Sequence, residues 1–394
     1  MGSVLVVVGT RPEAIKLAPV IRALAQTEGV AVRTCVTGQH ETSWRDAFEL
    51  FGISADTIGA TRLREASLRE EFTRIFEAVG GVLDAHHDDV DVVVVQGDTT
   101  SAYAAALAAF YARVPVAHVE AGLRTHEPMR PWPEELHRRA IAPMVTWHFA
   151  PSERARDNLI AEGIAPDSIH VVGNTVNDAL KHVRGIIARE RETGVFHARL
   201  ERSLPWMPES LRALLSGEDG ERALVVVTMH RRETFEHSGA LERVCAVLRA
   251  ATREPGRTVV WPLHPNEGVQ RVVQEALDGL EEERRAQVLC TPPWPYVPFV
   301  ALLERADVVL TDSGGIQEEA PVLRTPVVVL RGVTERVDVV EHGGAVLAPE
   351  DLDELGRVVD ELMGGALAPD AFEGYGRGDA APRIVRVLAS ARCL

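Results

Sequence analysis

Lysine is almost missing from this chain of 394 residues: of 42 basic side chains only Lys16 and Lys181 are lysine, and the rest are arginine. A lysine kept against that bias marks a place where a compact ammonium serves better than a planar guanidinium. Cysteine is scarce too. Cys35, Cys245, Cys290 and Cys393 are widely separated. That excludes a zinc knuckle and a CxxC redox pair, and points to incidental thiols in a reducing compartment. Positive charge is short overall. With 58 acidic residues the formal net charge is −16, against the basic footprint that nucleic-acid binding requires. A phosphate-bearing small ligand is still allowed, because its site is built locally. No apolar run approaches the ~20 residues of a membrane span. The opening Met1-Gly2-Ser3-Val4 runs into a strand without a basic segment and an apolar core behind it, so no secretion signal is expected. A cytoplasmic enzyme is the simplest expectation.

What is present reads as α/β. Apolar residues make up 46% and charged residues 25%, as in globular proteins with sizeable cores, and the length suggests two domains. In the first half, the β-branched run at 4–8 and the segments 30–36, 92–95, 114–119, 148–150 and 169–172 read as strands. Helical stretches alternate with them at 12–26, 43–51, 67–86, 100–112, 133–144 and 153–162. That alternation predicts a parallel sheet with helices on both faces. From 177 to 218 the pattern is helical and then irregular, with Pro205, Pro208 and Gly217. The second half restarts the same grammar, with strands at 223–227, 258–262, 288–290, 308–310 and 326–330. The expected division is 1–176 and 177–377, with a last helix (378–394) packing back on the first domain. Two such open sheets in tandem would place the ligand crevice between the domains, at the carboxyl ends of the strands.

Five strand-end segments carry the candidate chemistry. Gly9-Thr10-Arg11-Pro12-Glu13-Ala14-Ile15-Lys16 is a strand–turn–helix opening. It is not GxGxxG, so a dinucleotide fingerprint is absent. Arg11 at a helix start, with Lys16 a turn inside, suits a phosphate. In Gln96-Gly97-Asp98-Thr99-Thr100, Asp98 ends a buried strand, and Asp98 or a threonine also suits a helix cap. Glu120 ends the next strand; after Pro131-Trp132-Pro133 come Glu134 and Arg138 on one helix. Glu134 is also favoured there by the helix dipole alone. Three carboxylates gathered at one crevice suit proton abstraction and return, and their repulsion and burial would raise one or more of their pKa values. His230 in Met229-His230-Arg231-Arg232-Glu233 would face the crevice, or would be an ordinary core histidine. Finally, Thr311-Asp312-Ser313-Gly314-Gly315-Ile316-Gln317-Glu318-Glu319 opens a helix with little side-chain bulk. Its backbone amides can approach a diphosphate, Glu319 can accept two ribose hydroxyls, and Arg336 can add positive charge nearby.

Taken together, GTRPEAIK (9–16), TGQH (37–40), the run 96–125, PWPEE (131–135), GNTVNDAL (173–180), MHRRE (229–233), PYVPF (295–299) and TDSGGIQEEAP (311–321) resemble the non-hydrolysing UDP-N-acetylglucosamine 2-epimerase family. The likeness runs from 9 to about 344. It implies two Rossmann-like domains in the glycosyltransferase-B architecture. It further implies a homodimer and a place in cell-envelope polysaccharide synthesis. The implied activity is reversible conversion of UDP-GlcNAc to UDP-ManNAc without NAD or a metal. Carried over motif by motif, Arg11, Ser313, Gly314, Gly315 and Glu319 would hold UDP, and Phe299 would stack near uracil. His230 would face the diphosphate with Arg336 nearby. Asp98, Glu120 and Glu134, assisted by Lys16 and Arg138, would serve the sugar.

The chain departs from the family pattern at several points. The family commonly has Asn where this chain has His137 and Thr234, and RPE where it has Arg336-Val337-Asp338. Gln39-His40 is followed by Glu41-Thr42 instead of the longer motif of members activated by a second UDP-GlcNAc. These changes bear on activation and on the exact sugar. The rival readings are an epimerase of a modified UDP-sugar, a hydrolysing epimerase that releases ManNAc, a glycosyltransferase, and a non-catalytic UDP-sugar sensor. The GTRPEA opening argues against the first two, and the three carboxylates argue against the last two.

Overall fold

Strands that are apolar at every position need cover on both faces, and this dictates the architecture seen in the computed structural model. The structure describes residues 2–39, 44–58, 67–86, 89–217, 223–229, 235, 239–332, 334–367 and 375–390. The chain divides into two compact units, Met1–Lys181 with Gly374–Leu394, and His182–Glu373.

The first unit holds β1 (Gly2–Val8), β2 (Val30–Val36), β3 (Thr57–Ile58), β4 (Val92–Gln96), β5 (Val116–Val119), β6 (Trp147–Ala150) and β7 (Ile169–Val171). They form one sheet in the order β3-β2-β1-β4-β5-β6-β7, and its strand pairs are parallel. β1 and β4 are buried throughout. Ala102, Ala105, Ala106 and Ala109 of the Thr100–Tyr111 helix pack with Leu5, Val7, Val93 and Val95. Ile75, Val79 and Leu83 of the Leu68–Ala85 helix join the same core. Alanine at four core positions lets the helix backbone lie close to the sheet.

The second unit repeats the plan with β8 (Leu224–Thr228), β9 (Thr258–Pro262), β10 (Val288–Thr291), β11 (Val308–Thr311), β12 (Val327–Val329) and β13 (Ala345–Leu347). Their order is β10-β9-β8-β11-β12-β13, the doubly wound arrangement of Rossmann-like folds. Trp261, Val227, Leu310, Val247, Val273 and Val359 share its core. In each sheet the winding direction reverses between two central strands: β1 and β4, then β8 and β11. Such a switch point leaves a crevice outside the strand carboxyl ends, and ligands bind there.

Two features differ from the sequence expectation. The irregular stretch after 177 is three helices, Thr175–Glu192, Val195–Ser203 and Glu209–Ser216. Pro205, Pro208 and Gly217 punctuate and bound them. The edge strands β3 and β13 have only two and three residues, too short to show a period.

The closing helix Ala380–Ser390 belongs to the first unit and packs beside the Arg11–Ala25 helix. The GNTVND segment receives it. The Asp178 carboxylate accepts Ala380 N and Ala381 N, each at 3.1 Å, and so caps a helix 202 residues away. Asn177 Nδ2 donates to the Tyr375 and Gly376 carbonyls at 3.0 and 2.9 Å. Gly173 has φ +90, and a Cβ there would lie 2.8 Å from the Tyr375 carbonyl oxygen. No described helix is long and apolar enough to cross a membrane.

Candidate functional site

In the first unit the expected residues sit where β1, β4 and β5 hand over to the next segment. Thr10 caps the Arg11–Ala25 helix, with Pro12 in its first turn. Arg11 stands half-buried at the first helical position, next to the partial positive charge of the helix start. Lys16, one turn inside, is buried and forms an ion pair with Glu120. Both side chains are 7% exposed, so each charge depends on the other for compensation. The Asn174 amide reaches the same Glu120 oxygen at 3.5 Å. Glu120 has φ +67, a left-handed conformation that costs a residue with a side chain about 1–2 kcal/mol. Strain of that kind collects at functional sites.

Gly97 lies beside Glu120: a Cβ built on it would stand 4.0 Å from Glu120 Oε1. Gly97 has φ +70, which glycine adopts without that cost. His118 Nε2 donates to its carbonyl at 2.8 Å. Burial pushes the His118 imidazole down to about 3, so the ring stays neutral and the clamp persists at physiological pH.

Asp98 follows, in an ion pair with Arg138. Its carbonyl accepts His137 Nδ1–H at 2.8 Å, and the His137 ring stacks on Tyr103 with centroids 5.1 Å apart. Burial lowers the His137 pKa below the ordinary imidazole value. Arg138 reaches Glu135 with its other arm at 2.9 Å. Fully buried Glu135 also accepts Thr125 N and His126 N, at 3.1 and 3.2 Å. Glu134 opens the Glu134–Ile141 helix, four residues before Arg138 and thus on the same face. The helix cap after Asp98 is Thr99, not Asp98, so that carboxylate is not spent on capping.

Two of the three expected carboxylates have a cation beside them: Glu120 has Lys16, and Asp98 has Arg138, which it shares with Glu135.

In the second unit, β11 runs into the Gly314–Val322 helix. Ser313 is its N-cap residue, yet its side chain makes no capping bond. Instead, the Ser313 backbone amide donates to Thr311 Oγ1 at 2.9 Å. The first amides of the helix and the Ser313 hydroxyl therefore offer donors at one helix start. Glu319, 7% exposed, accepts Tyr296 Oη–H at 3.1 Å. Phe299 lies half-buried on the same helix as Tyr296, Tyr296–Arg305. Arg336 is buried against the helix start, for a Cβ on Gly314 would lie 2.7 Å from its Nη1. Its charge is compensated by Glu318 at 2.7 Å and by Glu335. The positive charge expected nearby from Arg336 thus belongs to a buried ion cluster.

His230 and Thr234 lie outside the described residues, as do His40, Glu41 and Thr42. Sequence reasoning passed over Glu135, Asn174, Tyr296, Glu318 and Glu335 as site residues. Glu135 and Glu318 each stand beside a glutamate that was chosen, and nothing local shows which of Glu134-Glu135 is buried or that Glu318 and Glu319 both are. Tyr296 and Asn174 lie inside segments quoted for the resemblance, but their partners are distant in the chain.

A family model described as UDP-N-acetylglucosamine 2-epimerase matches residues 22–389. The chain is 39% identical over 390 residues to a UDP-N-acetylglucosamine 2-epimerase of Yersinia pestis, covering 98% of each chain. Among solved structures, it is similar to the UDP-GlcNAc 2-epimerase of Neisseria meningitidis bound to UDP-GlcNAc. There the TM-score is 0.86 with 35% identity, covering 98% of this chain and 100% of that one. The Methanocaldococcus jannaschii UDP-GlcNAc 2-epimerase, in complex with UDP-GlcNAc and UDP, gives a TM-score of 0.81 with 29% identity. That match covers 98% of this chain and 99% of the other.

Proposed function

The chain belongs to the UDP-N-acetylglucosamine 2-epimerase family, and from that membership we propose that it interconverts UDP-GlcNAc and UDP-ManNAc by eliminating and re-adding UDP, without releasing the free sugar. The observation that carries this reading is the pair of cation-matched carboxylates at adjacent strand ends: Glu120 with Lys16 and Asp98 with Arg138. A sugar C2 proton needs a base on one face and an acid on the other.

The C2 proton is not acidic in the ground state. As the bond between C1 and the diphosphate oxygen breaks, positive charge gathers at C1 and the ring oxygen. That charge acidifies C2–H. One carboxylate among Asp98, Glu120 and Glu134 takes the proton, and the C–H electron pair becomes the C1=C2 double bond of 2-acetamidoglucal. In the return step a proton reaches C2 from the opposite face, and UDP bonds to C1 again. Lys16 stabilises the anionic form of Glu120 and can stand as its proton partner. Arg138 stabilises the anionic form of Asp98 but keeps its own protons, so it only holds that charge.

UDP must stay bound while the glucal waits. Ser313 and the amides of Gly314 and Gly315 suit the diphosphate, Glu319 the ribose hydroxyls and Phe299 the uracil face. Water exclusion separates this outcome from hydrolysis, because water would otherwise capture the intermediate.

The test is proton NMR of the protein with UDP-GlcNAc in D2O, without added NAD or metal. UDP-ManNAc carrying deuterium at C2 supports the proposal. Free ManNAc with UDP moves the chain to the hydrolysing branch. Bound UDP-GlcNAc without any C2 exchange refutes epimerisation of this sugar and favours a modified UDP-sugar or a sensor.

A further inference from the structure

Glu13 occupies a place where a glutamate is normally wet. At the third position of a helix it closes a capping box: Oε2 accepts Gly9 N at 3.1 Å and Thr10 N at 2.6 Å. That device needs only one oxygen and works at the surface. Here the residue is 1% exposed, and Oε1 leaves the box to accept the hydroxyl of Thr99 at 2.7 Å, 86 residues away. Thr99 itself accepts Ala102 N at 3.0 Å and caps the Thr100–Tyr111 helix. A single carboxylate therefore joins the starts of two helices. Arg11 and Lys16 flank one end of this tie, and Asp98 is next in the chain to the other.

We propose that Glu13 is a positioning residue for the epimerisation, holding the Arg11–Lys16 turn at a set distance from Asp98; this rests on the functional reading above. Glu13 acts through Thr99 and the turn amides, without touching the sugar. The neighbouring charges are engaged elsewhere, Lys16 with Glu120 and Asp98 with Arg138. Burial raises the Glu13 carboxyl to about 7, a cost that a capping box at the surface would not carry. Glutamine has the same shape, and one amide oxygen can serve both turn amides. Its NH2, however, donates to Thr99 Oγ1, which already accepts from Ala102, and the Thr99 hydroxyl proton loses its acceptor.

The experiment compares wild type with Glu13→Gln in three measurements: kcat and KM for UDP-GlcNAc, thermal midpoint, and amide hydrogen exchange of 97–102. The expected result is a kcat lower by about tenfold to a hundredfold, the scale of a small misplacement. KM stays unchanged, exchange at 97–102 is faster, and the midpoint is not lowered. Unchanged kcat with unchanged exchange overturns the proposal. A kcat loss that tracks a lowered midpoint also overturns it, since that is a structural effect. If wild type exchanges no C2 proton, the functional reading fails, and the amide exchange alone decides the tie: unchanged rates at 97–102 refute it.

Discussion

Two adjacent glycines at the start of the Gly314–Val322 helix should respond to alanine in opposite ways. Neither has a positive φ, so the backbone tolerates alanine at both. A Cβ on Gly315 meets nothing within 4 Å. A Cβ on Gly314 would lie 2.7, 2.9 and 3.1 Å from three atoms of the Arg336 guanidinium. The Arg336 side chain is 7% exposed and its guanidinium is held by Glu318 and Glu335, both buried, so it cannot swing aside cheaply. Overpacking of this kind costs about 1–3 kcal/mol. Pulling the cation from buried carboxylates pushes the cost toward the ~3–5 kcal/mol of a broken buried pair. Alanine returns at most about 1 kcal/mol of helix propensity. We therefore expect Gly314→Ala to destabilise the second unit by about 2 kcal/mol, a drop of about 4–8 °C in its midpoint for a unit of this size. Gly315→Ala should be neutral or stabilise by about 0.4–1 kcal/mol, while weakening UDP binding if its amide approaches the diphosphate. Scanning calorimetry that resolves the second unit's transition, with and without UDP, measures both. A Gly314→Ala protein as stable as wild type, or equal shifts for the two variants, would refute the packing argument.

The other predictions concern chemistry and pH. Asp98→Asn, Glu120→Gln and Glu134→Gln should each lower kcat by about 10²–10⁴, the usual worth of a positioned acid or base. Their UDP affinity, measured by calorimetry, should stay near wild type. Tyr296→Phe removes a hydrogen bond that orients Glu319, and about 1 kcal/mol of lost orientation should raise KM roughly fivefold with kcat unchanged; a kcat effect alone would count against ribose binding by Glu319. Glu13 makes stability depend on pH. Its carboxyl rises from 4.5 to about 7 on folding, so its contribution is fully present below 4.5 and is lost as pH climbs through 7. The loss is about 3 kcal/mol. Urea unfolding at pH 5 and pH 8 should show this decline in wild type and a smaller one in Glu13→Gln; parallel declines would show that Glu13 titrates normally.

Much of the fold was readable because its signals are local. A strand of β-branched residues, a turn and a capped helix occupy about twenty consecutive residues, and their pattern survives in one dimension. The Val4–Val8 run, the strand–turn–helix opening at 9–16 and the Ser313-Gly314-Gly315 helix opening are of this kind. The edge strands β3 and β13 were missed because two or three residues carry no period, although the equally short β7 was read at 169–172. The helices after 177 were blurred by the prolines and glycine that separate them.

The residue types at the strand ends, and the order in which the sheet switch points present them, follow from composition and periodicity along the chain. Their charge states and partners do not. Lys16 meets Glu120 across 104 residues, Arg138 meets Asp98 across 40, and Glu13 meets Thr99 across 86. Which glutamate of Glu134-Glu135 is buried against an arginine, and whether Arg336 faces a ligand or two carboxylates, depends on neighbours brought in by other strands. Burial and Coulomb pairing are functions of distance in space. Elements far apart in the chain must first pack before either has a value.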